Sequence, residues 1–206
     1  MDHAHGNDFI GVGAEIPLWD PSRAHTVWTI NRYDADATLW ASKRIGGLSP
    51  ELEDFEAFHI QPYNTSIVVG NLITNAGWTR LMNLLTAQGG TQALSSTATR
   101  IGVGNSNTAE AYTDTDLGAA AGSANRWFQP VSGSGSLGTR TLSFSAAFGT
   151  ADGNFAWNEF GIDVGTPSVS AGNTVNALLF NHKAGIAQGT KASGQTWTAT
   201  ATITFT

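Results

Sequence analysis

The chain has no cysteine. That removes disulfides, thiolate metal sites and a cysteine nucleophile, and with them the small disulfide-stapled secreted scaffold. Charge is scarce as well: Asp, Glu, Lys and Arg make up 13% of the 206 residues, about half the usual share of roughly 25%. No lysine lies between Lys43 and Lys183, and no Gly-Lys-Ser/Thr phosphate loop occurs. The ten basic residues are scattered apart from Lys43-Arg44, and the net charge is −6, so direct binding to a nucleic-acid backbone is not expected. No apolar run approaches the ~20 residues of a membrane helix. The start, MDHAHGNDF, has neither the basic end nor the apolar core of a signal peptide. A soluble protein without membrane contact or export signal is the expectation.

Thr, Ser, Asn and Gly take the place of the missing charge. That mixture suits short strands with polar outward faces and is poor in helix formers. From residue 98 onward the apolar period is two. Leu142, Phe144, Ala146 and Phe148 share one face, as do Phe160, Ile162 and Val164. TWTATATITFT alternates without a fault, with Trp197, Ala199, Ala201, Ile203 and Phe205 inward and threonines outward. SGSGSLG, GTADGN, GTPSVSAGN and GTKASG separate these runs as turns. The pattern predicts a mainly β fold: an antiparallel β-sandwich, jelly-roll-like, with one amphipathic helix and an extended N-terminal arm.

The helix is expected within residues 71–90. Trp78, Leu81, Met82 and Leu85 fall at i, i+3, i+4 and i+7, Thr74 or Asn75 can cap the start, and Gly89-Gly90 can end it. Residues 1–60 hold ten Asp and Glu against four Lys and Arg, which accounts for the whole net charge. They include Trp19, Trp28 and Trp40, a strand-like TVWTINRY, and SPELEDFEAF, which reads as a short capped helix. The domain reading is therefore an acidic, tryptophan-bearing arm or subdomain over 1–70 and a helix plus sandwich over 71–206. Deleting residues 1–60 is expected to leave that sandwich folded.

RIGVGNSNTAEAYTDTDL, Arg100 to Leu117, raises the question of chemistry. A dinucleotide loop would need a third glycine where Asn107 stands, and a packing helix behind it. The expected role is a strand followed by a polar turn. Asp114 and Asp116 could ligate calcium, but further acidic ligands are missing, so turn capping is the stronger reading. His3 and His5 have a metal-site spacing without the rest of a shell. GSGSLG around Ser134 and Ser136 lacks the strand–turn–helix setting of a nucleophile elbow. His182 reads as a partly exposed strand-end residue. Glu159, an acid inside the aromatic strand FAWNEFGID, is either a catalytic acid or the partner of Arg100, Arg126 or Arg140, with the ion pair favoured. No catalytic residue, metal ligand or cofactor is assigned, and no enzyme is expected.

The layout of NLITNAGWTRLMNLL, TRIGVGNSNTAEAYTDTDL, TLSFSAAFGTADGNFAWNEFGI and GTKASGQTWTATATITF, over roughly residues 70–206, resembles small virion structural proteins of tailed bacteriophages. The resemblance implies a particle component assembled in the host cytoplasm and located in the virion. It implies a capsid decoration (cement) protein bridging major capsid subunits, or else a tail, neck or fibre-associated protein. A homo-oligomer is expected, the trimer first. Trp19, Trp28, Trp40, Phe55 and Phe58 are the interface candidates, since aromatic anchors dominate interface energetics. A carbohydrate-binding sandwich is the more distant alternative, and it would require several tryptophans flat on one solvent face.

Overall fold

A computed structural model of the chain describes residues 24–88, 91–132, 136–165 and 172–205. The fold is mainly β, with two five-stranded antiparallel sheets. The first sheet is ordered β2 (Asn64–Val69), β1 (Ala24–Tyr33), β10 (Thr196–Phe205), β7 (Thr141–Phe148), β6 (Ser136–Gly138). The second is ordered β3 (Leu72–Ile73), β9 (Leu179–Ala184), β8 (Glu159–Val164), β4 (Thr99–Gly104), β5 (Arg126–Pro130).

Alternation along the strands builds the core between the sheets. Trp28 and Ile30 of β1, Phe144 and Phe148 of β7, and Trp197, Ala199, Ala201 and Ile203 of β10 face Ile101 and Val103 of β4 and Phe160, Ile162 and Val164 of β8. The expected inward residues of β7, β8 and β10 thus take their places. The Trp28 and Phe160 rings stack across the interface, with centroids 5.0 Å apart. Trp157 sits edge-on to Phe148 at 4.7 Å and to Trp197 at 4.9 Å. Its indole N–H donates to the Gly153 carbonyl at 2.9 Å, so burying that donor leaves nothing unsatisfied.

Residues 24–69 are not an arm on a separate sandwich. β1 pairs antiparallel with β10 from Ala24↔Phe205 to Tyr33↔Thr196, and β2 pairs with β1 on its other side. The physical reason is the alternation of TVWTINRY itself. It puts Trp28 and Ile30 into the shared core, and the strand cannot bury them alone. A cut at residue 60 would remove β1 from the first sheet, so the sandwich does not begin at residue 71.

Between β1 and β2 lie α1 (Ala35–Arg44) and α2 (Leu52–Ala57). Apolar periodicity does not announce α1. Asp34 caps it by accepting from Ala37 N at 2.8 Å, and only Thr38 and Ala41 are buried. In α2 the Asp54 carboxylate accepts from Glu51 N at 2.9 Å, which starts the helix later than Pro50. Phe55 lies flat on Tyr33 at 3.7 Å between centroids.

The helix expected within 71–90 is α3 (Asn75–Leu85), capped by Thr74, whose hydroxyl accepts from Gly77 N at 3.0 Å. Its contact face differs from the expected one. Met82 is 48% exposed and Leu85 79%, whereas Leu81 packs on the core and Gly77 is buried. The helix rests on β9 through that glycine: a Cβ at 77 would lie 2.1 Å from the Phe180 carbonyl oxygen. Close approach of two backbones decides which face turns in.

Candidate functional site

The segment 105–125, between β4 and β5, lies over the outer face of the second sheet. Register sets three cross-strand rows on that face. One row runs Arg126, Gly104, Glu159, Ala184; the next Phe128, Gly102, Gly161, His182; the third Pro130, Arg100, Asp163, Leu179. The glycines make the room. A Cβ on Gly102 would stand 2.6 Å from Phe128 Cε1, and one on Gly104 would stand 2.1 Å from Glu159 Oε1. Leu117 of the covering segment drops into this clearing with Phe128 and Leu179.

Each acid of that segment reaches a base or a backbone donor below it. Glu110 accepts from Lys183 Nζ at 2.9 Å and Ala184 N at 3.1 Å. Asp114 lies 2.7 Å from His182 Nδ1, and Asp116 accepts from Arg126 Nη1 at 2.7 Å. The turn-capping role of the aspartates holds too: Asp114 accepts from Ala111 N and Asp116 from Leu117 N, both at 2.8 Å. Glu159 answers from the sheet, accepting from Gly118 N and Ala119 N at 2.8 Å.

Glu159 pairs with none of Arg100, Arg126 and Arg140. Its partner is His182, whose Nε2 lies 2.9 Å from Glu159 Oε2. Arg100 instead binds Asp163, with Nε at 3.0 Å, and Asp163 also accepts from Ala177 N and Leu178 N. His182 is 1% exposed, not a partly exposed strand end. Burial alone would push its imidazole down, but the hydrogen bonds and charges of Glu159 and Asp114 outweigh it and hold His182 above its ordinary value. An imidazolium donates through both ring nitrogens, which satisfies both carboxylates at once. With both ring nitrogens engaged, the arrangement ties the covering segment to the sheet. A signal for it exists in the sequence: an acid, a glycine and an acid at alternate positions, Glu159, Gly161 and Asp163, on the face opposite Phe160 and Ile162.

The interface candidates scatter. Trp28 and Phe55 are fully buried, Trp28 in the sandwich core and Phe55 against Tyr33, so neither has surface to offer a partner. Trp40 is 42% exposed, with the Arg44 guanidinium 3.7 Å over its ring and Phe58 edge-on at 5.8 Å. Trp19, His3, His5 and Ser134 lie outside the described residues. Of the six described tryptophans, Trp28, Trp157 and Trp197 are buried, and Trp40, Trp78 and Trp127 keep partial exposure. No group of three His, Asp or Glu side chains among them is arranged to hold a metal ion.

Sequence reasoning passed over β2. Among the described residues this strand has one neighbour, β1, and its other side is an edge. NTSIVV carries no charge and no proline, the usual devices that blunt an edge. Its outward Ile67 and Val69 are 66% and 67% exposed. They lie beside Thr29 and Val27 of β1, which in turn neighbour Thr200 and Thr202 of β10. Thr200 and Thr202 hydrogen-bond Ser145 and Ser143 of β7 at 2.7 and 2.8 Å. The outer face of the first sheet is thus a hydroxyl ladder with an apolar rim at an open edge. No protein-family model, no curated protein and no solved structure matches the chain.

Proposed function

We propose that the chain is a non-enzymatic virion structural protein of a tailed bacteriophage, acting as a capsid decoration protein that bridges and stabilises major capsid subunits. The observation that carries the reading is the edge of β2, which has no strand on its outer side among the described residues, with Ile67 and Val69 exposed beside the hydroxyl ladder. An unblunted, uncharged edge is a place where another chain adds a strand, by backbone hydrogen bonds with alternate side chains providing selectivity. The resemblance of residues 70–206 to small virion proteins supports the same reading, as does a set of buried polar groups that hold loops. The partner is a neighbouring copy or a major capsid subunit, and the trimer is the expected closed form.

Adding the purified protein to particles that lack it tests the proposal. Wild-type protein is expected to bind in hundreds of copies per particle and to raise resistance to heat. Ile67→Lys, on an exposed position, is expected to stay folded and fail to bind. A few copies at one vertex or along the tail would replace the decoration role with a tail, neck or fibre role. Unchanged binding by the variant would overturn the part given to β2.

A further inference from the structure

Arg32, on β1 and next to Asn64 of β2, is 6% exposed. Its guanidinium donates to Asn64 Oδ1, to Ser66 Oγ at 3.1 Å, and to the backbone and side-chain oxygens of Gln188 at 3.0 and 2.8 Å. It lies 4.6 Å from the centroid of the Trp197 ring. All these partners are neutral. Arg100 and Arg126, equally buried, each hold a carboxylate, whereas no carboxylate bonds Arg32 among the described residues. Burial lowers its pKa, against a smaller opposing pull from Tyr63.

A cleft of about 400 Å3 opens beside it, lined by Arg32, Tyr63, Asn64, Ser66, Gln188 and Thr190 among others. None of its lining residues is acidic. Tyr63 stands at the rim, 53% exposed. Gln188 is carried between Ala187 at φ 43° and Gly189 at φ 85°. A non-glycine residue in the left-handed region costs free energy and concentrates at ligand clamps. The Gln188 amide oxygen takes hydrogen bonds from both Arg32 and Ser66, which is the position a carboxylate oxygen would take with greater strength.

We propose that this cleft binds a carboxylate-bearing saccharide, a uronate. The ligand carboxylate displaces the Gln188 amide oxygen from Arg32 and Ser66. The Asn64 amide and the Thr190 and Tyr63 hydroxyls can meet sugar hydroxyls, and the exposed Tyr63 ring can cover the apolar face of the pyranose. A single cation without acidic neighbours selects one negative charge, and the mixed donors and acceptors select a polyol over a bare fatty or mineral acid.

NMR titration of the full chain with glucuronate, glucose and acetate tests this, following the Arg32 guanidinium and Trp197 indole signals. Glucuronate is expected to bind saturably, at roughly millimolar Kd and about tenfold tighter than either acetate or glucose. Gln188→Glu places a countercharge in the cleft. It is expected to fold, raise Tm and abolish the glucuronate response. Tyr63→Ala, at an exposed position, is expected to keep the fold and weaken glucuronate severalfold while leaving acetate unchanged. No response to glucuronate, an equal response to acetate, or full binding by Gln188→Glu would each overturn the proposal.

Discussion

His182 Nε2 stands 2.9 Å from Glu159 Oε2, a buried imidazole against a fully buried carboxylate. Asp114 takes the other ring nitrogen, so this pair joins the 105–125 segment to the sheet beneath it. Breaking a buried ion pair from one side leaves an uncompensated charge, at a cost of about 3–5 kcal/mol. His182→Gln is therefore expected to lower stability strongly near neutral pH. The His182 pKa is raised above its ordinary 6.5, so its contribution is complete below that value and fades as pH rises through the folded pKa. Urea unfolding as a function of pH should show the wild type losing stability relative to the variant as pH rises above 6.5 through the His182 pKa. A constant difference between the two across that range would refute the assignment.

Gly77→Ala separates propensity from packing. Helix propensity alone predicts a gain of about 1 kcal/mol for replacing a helical glycine. The structure predicts a loss, because the new Cβ would meet the Phe180 carbonyl oxygen at 2.1 Å. Overpacking of this kind costs about 1–3 kcal/mol, and more where backbone must move. Thermal unfolding of the single variant gives the sign.

Lys191 is fully buried, donating to the Gly149 carbonyl at 2.6 Å and to Asn154 Oδ1 at 2.7 Å. Burial lowers its pKa to about 8, against a partial opposing pull from Asp152. Between about 8 and the ordinary 10.5 the unfolded chain holds the extra proton, so this group makes stability rise with pH across that window. Lys191→Met is expected to abolish that rise. Denaturant midpoints at pH values on either side of the window measure it, and an unchanged slope would count against a neutral buried amine.

Trp28→Ala and Trp40→Ala should diverge although both tryptophans precede residue 60. Trp28 is fully buried and stacked on Phe160, so its truncation is expected to cost about 3–5 kcal/mol. Trp40 is 42% exposed, and its truncation is expected to cost about 1 kcal/mol or less. Equal losses would mean that the acidic N-terminal region contributes to the core differently from the pairing of β1 with β10.

Much of the fold was legible because side-chain alternation along a strand is local. Trp197, Ala199, Ala201 and Ile203 share the core face by alternation, and the threonines between them face the other way, where Thr198 is buried as well. Helix α1 escaped notice since it buries only Thr38 and Ala41, too little to leave a period. In α3 the period was visible but misleading, because the shortest side chain, Gly77, makes the contact that Met82 and Leu85 were expected to make.

The amino-acid sequence by itself determined the strand-rich class, the inward residues of the late strands and the absence of thiol chemistry. It also showed that Glu159 needed a partner. Only the tertiary structure decided which partner. His182 is 23 residues from Glu159 and 68 from Asp114 along the chain, and Arg32 meets Gln188 across 156. Such pairs depend on strand order and register, which many distant contacts set together. The same register made β1 an inner strand and β2 an edge, so a segment whose charge suggested a separate arm became part of the sheet.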